Sequence, residues 1–183
     1  SDLEYLLKFA QNGSRNELEM EYRALLEVQG HVSALNRSPY FSIQIPHVLE
    51  YSQKENEGIT MVISQPLGKS LTQIQWPGSM IPELTMLKLF AGVLRIHQAA
   101  LAAGWRFRNF SVSDIFWDEA GSIISLVNWW KAERCTKLPQ ANQSSFNLAN
   151  FPELFEMWAS LVQLSGSKNH PLSYSYLSDK NGN

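Results

Sequence analysis

The stretch IFWDEAGSIISLV, residues 115 to 127, constrains this chain more than any other. Two short β-branched or aromatic runs, Ile115–Trp117 and Ile123–Val127, flank the turn-prone DEAG, which is the pattern of a tight antiparallel pair. Before it lies FRNFSVSD, residues 107 to 114, and after it NWW, residues 128 to 130. A short strand pair thus separates two polar-aromatic loops, and the elements around it must be arranged to carry those loops.

Upstream, EYLLKFA, residues 4 to 10, is short, apolar and closed by the turn-prone QNGS, so it reads as a strand. Ser14 and Glu17 stand in capping-box spacing, and Leu18, Tyr22, Leu25, Val28 and Val32 then recur at helical period, predicting a helix from about Ser14 to Leu35. SIQIPHVLEY and GITMVIS follow as two β-rich runs of an antiparallel hairpin, with Pro46 marking an edge or a break in the first. After the linker QPLGKSL, Pro82 and Glu83 open a second helix whose core face is expected at Leu87, Phe90, Val93 or Leu94, and Leu101, and Gly104 stops it. Beyond the strand pair, a last amphipathic helix carries Leu148, Phe151, Leu154 or Phe155, Trp158 and Val162. The order β, α, β, β, linker, α, β, β, α divides a small mixed subdomain, residues 1–68, from a largely helical one with a polar tail, residues 69–183.

The 183 residues are 44% hydrophobic, enough for one buried core. Fifteen basic residues (Lys+Arg 15) against 17 acidic leave a net charge of −2 with no basic block, which argues against nucleic acid as a partner. The most apolar stretch, Met86 to Ala103, is interrupted by Lys88, Arg95 and His97, so no membrane span is expected. Cys135 is the single cysteine, which excludes an internal disulfide and a cysteine zinc cluster. The first residues lack a basic segment followed by an apolar run, so no signal peptide is visible and the expected location is cytoplasmic.

The element order and the two loops together resemble the protein-kinase-like superfamily. FRNFSVSD falls on that family's H-R-D-L-x-x-x-N catalytic loop, and NWW falls on its D-F-G. LLKF is similar to the strand that carries the ATP-binding lysine, making Lys8 its counterpart, and Glu21 then stands where the family has that lysine's helical ion-pair partner. MVISQPLGKSL resembles the hinge between lobes, and NLANFPELFEMWASL the central helix of the large lobe, with Asn147 at the position of a buried aspartate. The sister branch of aminoglycoside and small-molecule phosphotransferases is similar at ISLVNWWKAE. The resemblance covers most of residues 5 to 165 and implies a two-lobed α+β fold, with a reduced N-lobe of antiparallel strands plus one helix and a truncated helical C-lobe.

No motif of the family is intact. Phe107, Arg108 and Asn109 occupy the H-R-D positions, and the Asn109 amide has no basic site to take a proton, a function worth about 100- to 10,000-fold in rate. Asn128 stands at the main magnesium carboxylate and Asp114 at the metal-binding asparagine, so the two metal positions are exchanged in type. Trp129 replaces the phenylalanine and can still pack, whereas Trp130 replaces a glycine that lets the backbone turn. Strands with a Gly-rich loop do not precede Lys8 in this sequence, and Lys131 to Phe146 is too short for a regular activation segment. Pro152 would kink the last helix unless that helix begins nearer Asn150.

The resemblance therefore implies a catalytically inactive, pseudokinase-like scaffold or regulatory module that binds a protein partner. No cofactor is expected beyond weak ATP and magnesium at a vestigial site of Lys8 and Glu21, with Asp114 and Asn128 as candidate metal ligands. The alternative is an atypical phosphotransferase using Lys8, Asp114 and Asn128; an unrelated α+β interaction domain is a third reading. Lys8 alone also fits an exposed lysine on an edge strand, Asp114 a turn or cap residue, and His97 a core histidine. His31, His47 and His170 lack metal-ligand spacing. The six tryptophans are mostly core candidates, with some available to a partner surface.

Overall fold

A computed structural model of the chain describes residues 5–10, 14–54, 58–107, 111–135 and 152–164. Strand β1 (Tyr5–Ala10) lies antiparallel to β4 (Gly58–Ser64), which pairs on its other side with β3 (Val48–Lys54). Strict alternation along β4 turns Ile59, Met61 and Ile63 inward, where helix α1 (Arg15–Leu35) covers them with Leu18, Ala24, Leu25, Val28 and Val32. Each of the larger side chains among these, Leu, Ile, Val or Met, contributes about 1.5–3 kcal/mol when fully buried. Tyr22, expected on that face, sits at its rim and stacks on Tyr51 of β3 with ring centroids 3.8 Å apart. Ser14 does occupy the N-cap position, but its side chain makes no capping bond; the first turn closes instead through the Leu18 N–H to the Ser14 carbonyl, 3.2 Å.

The run SIQIPHVLEY is two strands, not one. Pro46 has no N–H for a ladder, and the chain breaks there between β2 (Ser42–Gln44) and β3. The hairpin partner of β4 is therefore Val48–Lys54 alone, while β2 leaves that sheet and pairs in parallel with β8 (Ile123–Leu126), Ile43 opposite Ile124. β8 runs antiparallel to β7 (Ile115–Asp118), and β5 (Lys69–Ser70) completes a sheet of order β2-β8-β7-β5. The DEAG turn closes as expected, with the Gly121 N–H donating to Asp118 Oδ2 at 2.9 Å. Gly68, before β5, has φ +80, and a Cβ there would meet the Trp117 carbonyl oxygen at 2.1 Å, so only glycine permits that approach.

Helix α2 (Glu83–Ala102) packs on α1 and on this second sheet. Its buried face is Met86, Leu89, Gly92, Val93, Ile96, His97, Ala99 and Ala100, which differs from the expected face except at Val93; Leu87 is exposed. Leucines stand on the outer side as well as the inner, and His97 is buried, so apolar spacing alone does not fix which side of this helix faces the core. α2 is long and apolar enough to cross a membrane by length and composition, yet it is packed here as a core helix with His97 buried. Gly92 allows Ile124 of β8 to touch the helix: a Cβ would lie 2.4 Å from Ile124 Cδ1.

Gly104, at φ +79, turns the chain out of α2 into β6 (Trp105–Phe107), which pairs with β9 (Ala132–Arg134). Helix α3 (Pro152–Leu164) lies on α2 through the tilted pair Phe90–Trp158. It starts at Pro152, where proline's missing N–H costs no helical bond, so no kink arises. Leu148 and Phe151 lie outside the described residues. The described residues thus make an α+β fold: a three-stranded antiparallel sheet with one helix, set beside two further helices, a four-stranded sheet and a two-stranded one.

Candidate functional site

Three elements converge where β1, α1 and the segment after β8 meet. Lys8 is on the inward side of β1, and its Nζ donates to Glu21 Oε1 of α1 at 2.6 Å. The Glu21 side chain is only 2% exposed and that of Lys8 24%, so Lys8 is not the exposed edge lysine that its sequence alone also allows. The same Glu21 oxygen accepts the backbone N–H of Trp129 at 3.2 Å. One carboxylate thus ties the small sheet and its helix to the lower lobe. The Trp129 ring is fully buried, donates its indole N–H to the Leu126 carbonyl at 2.9 Å, and meets Phe107 edge-on at 4.3 Å between centroids.

The turn that places Trp129 is made by Asn128, which holds φ 61 and ψ 47. Asparagine is among the few residues that take this left-handed conformation readily. Residue 130, expected to carry the strain of the lost glycine, does not: the reversal comes two positions earlier, and Trp129–Lys131 then form a single 3-10 turn. That turn brings Lys131 back toward Asp114.

Asp114 ends a second 3-10 turn, Val112–Asp114, capped by Ser111. Its Oδ2 accepts the Ser111 N–H at 2.8 Å, and the Ser111 hydroxyl serves the Asp114 end of the turn in return, a reciprocal capping box. Asp114 Oδ1 accepts Asn128 Nδ2 at 2.6 Å, and Oδ2 also accepts Lys131 Nζ at 2.6 Å. The Asp114 side chain is 3% exposed and that of Lys131 20%. A capping serine and a lysine, neither singled out from the sequence, therefore complete the surroundings of the one retained carboxylate. The S-x-x-D spacing at 111 to 114 was a readable signal, obscured by strands on both sides of so short a turn.

Magnesium takes oxygen ligands in octahedral geometry. Here Asn128 presents its N–H₂ to Asp114, and both Asp114 oxygens already face N–H donors, one of them a full cation. No group of three or more His, Cys, Asp or Glu suited to a metal occurs among the described residues. Asp114 and Asn128 as arranged do not fit a divalent cation; Asp114 serves as a turn cap and ion-pair partner.

An open cleft of about 310 Å³ lies beside Lys8, lined also by Ala10, Ser14, Glu17, Leu18 and Trp130. Trp130 forms one wall with 44% of its surface exposed, and Lys131 Nζ stands 5.6 Å from its ring centroid. Lower on α1, Glu27 accepts the Trp105 indole N–H at 2.8 Å and pairs with Arg134, a second tie between the lobes. Lys8, Glu21, Phe107, Asp114, Asn128, Trp129 and Trp130 are all placed by these interactions, whereas Arg108, Asn109 and Asn147 lie outside the described residues.

No family model matches the chain, and no curated protein sequence does. Solved structures do. The chain is similar to the kinase PK-1 of Cydia pomonella granulovirus with a TM-score of 0.57 at 7% identity, over 73% of this chain and 45% of that one. It is similar to vaccinia related kinase 3 with a TM-score of 0.52 at 20% identity, over 71% of this chain and 41% of that one. It spans less than half the length of either kinase.

Proposed function

On a protein-kinase-like fold, we propose that this chain is a catalytically silent, pseudokinase-like module that binds a protein partner. The observation that supports it is the frame around residue 114 and Glu21: the Glu21 carboxylate accepts both Lys8 Nζ and the Trp129 N–H and so joins the lobes directly. In an active kinase the counterpart lysine also serves the nucleotide phosphates and a carboxylate holds magnesium; here the carboxylate at 114 is engaged by Ser111, Asn128 and Lys131. The amide of Asn109 leaves the base position without a proton acceptor.

A protein surface is supported by β1. Tyr5 and Leu7, each 65% exposed, and Phe9 line one face of a strand that pairs only with β4 among the described residues. Apolar side chains along an uncovered strand edge favour contact with another chain.

The alternative, an atypical phosphotransferase using Lys8, Asp114 and Asn128, is favoured by one observation, the open cleft that reaches the Lys8–Glu21 pair. Thermal denaturation with and without ATP and magnesium, followed by a phosphotransfer assay with labelled ATP, separates the two. The module reading expects no labelled product. A product that disappears in Asp114→Ala would overturn it, and Lys8→Ala and Asp114→Ala variants that bind nucleotide as the parent does would end the phosphotransferase reading.

A further inference from the structure

We infer that Lys131 is a built-in counter-cation: its ammonium holds the place on Asp114 that a divalent metal would need, and so excludes divalent cations from this site. Three observations carry it. First, the geometry is that of a direct ion pair, 2.6 Å from Nζ to Oδ2, in a place where Asp114 is almost fully buried and four fifths of the Lys131 side chain is covered. Such a pair differs from a solvated surface contact, whose two partners are free to separate into water.

Second, among the described residues the charges that meet at Asp114 balance without a metal. Asp114 contributes one negative charge and Lys131 one positive, and the neighbouring donors, the Asn128 amide and the Ser111 N–H, are neutral. A divalent ion added beside Lys131 would leave two uncompensated positive charges in a largely dry site, an arrangement that burial opposes. An ammonium has three donors and no acceptor, so Lys131 cannot itself serve as a ligand.

Third, Lys131 is delivered by the backbone and does not reach Asp114 by chance. The left-handed Asn128, the buried Trp129 ring and the 3-10 turn fix the residue's position. The Lys131 N–H bonds back to the Asn128 carbonyl at 3.2 Å.

The inference goes beyond the binding-module reading, and the two fail separately. Phosphotransfer by the parent chain would sink that reading, but it would touch this inference only if it needed a divalent cation on Asp114.

The test is titration with Mn²⁺, read by the loss of the free-ion signal in electron paramagnetic resonance. The parent and Asp114→Asn should take up Mn²⁺ indistinguishably. Lys131→Met should gain one equivalent bound at least tenfold more tightly than by the parent, and Lys131→Met/Asp114→Asn should lose it. Uptake by the parent that vanishes in Asp114→Asn would overturn the inference, as would a folded Lys131→Met that gains no site. Should Lys131→Met fail to fold, Lys131→Leu takes its place in the titration, and uptake by the parent that vanishes in Asp114→Asn would still overturn the inference.

Discussion

Glu21 and Lys8 form an ion pair of unequal burial, and that inequality predicts an order of mutational cost. Lys8→Met leaves the Glu21 carboxylate, 2% exposed, with the Trp129 N–H as its remaining partner. Removing one partner of a buried pair costs about 3–5 kcal/mol. Because a quarter of the Lys8 side chain reaches solvent, some water can follow the vacated ammonium, which places the expected loss near the lower end, about 3 kcal/mol. Glu21→Gln keeps a carbonyl oxygen for both donors and leaves the Lys8 ammonium without its counter-ion, but that ammonium reaches solvent, so the loss should be smaller, about 1–2 kcal/mol. Lys8→Met/Glu21→Leu removes both charges and orphans only the buried Trp129 N–H, about 1–3 kcal/mol, so the double variant should be no less stable than Lys8→Met alone. Urea denaturation with an unchanged slope reads these differences. For a domain of this size 3 kcal/mol lowers Tm by about 6–12 °C, and the loss should persist in 0.5 M salt because the pair is shielded from ions. The exposed Lys69→Met is the control. If Lys8→Met costs no more than Lys69→Met, the pair is not a strut and the reasoning fails.

Tyr51 carries a phenol whose pKa is raised above the ordinary tyrosine value of 10.0, by burial first and by the Glu19 carboxylate second. The native state therefore keeps that proton where the unfolded chain loses it, so its contribution to stability is full below about pH 10 and is lost as pH rises through the folded value. Denaturation midpoints measured across pH 9 to 11 should fall less steeply for Tyr51→Phe than for the parent; equal slopes would refute this. The adjacent tryptophans should behave oppositely: Trp129→Ala, from a fully buried site, should cost about 3–5 kcal/mol, and Trp130→Ala, from an exposed wall, no more than about 0.5 kcal/mol. Chemical denaturation of both variants checks the contrast, and similar losses would show that Trp130 is part of the core.

What could be read in the residues, and what could not, divides along physical lines. β1, α1, the β7–β8 pair and the helix stop at Gly104 follow from local punctuation and period, and each forms. The Lys8–Glu21 pair was reachable only through the family resemblance, since nothing local says that a strand lysine faces a helix glutamate 13 positions on. The parallel pairing of β2 with β8 was invisible because three residues, Ser42–Gln44, carry too short a pattern to name a partner about 80 residues away. The buried face of α2 was misread because exposed leucines such as Leu84 and Leu87 lie outside it while the polar His97 lies within it. Lys131 escaped notice for a different reason: its role depends on the left-handed Asn128, and a residue type that only tolerates a conformation does not announce it. For Asp114 the residues offered two readings, ligand or cap, and the neighbours that decide between them lie 3, 14 and 17 positions away.

The central claim is that the Lys8–Glu21–Trp129 contacts hold the kinase-like frame together by themselves, and the Trp129 backbone amide reports on it most directly, because it bonds to buried Glu21 between the lobes. Amide hydrogen exchange resolved to Trp129 should show protection in the free protein and the same protection with saturating ATP and magnesium. Rapid exchange in the free protein that slows only when ATP and magnesium are added would contradict the account.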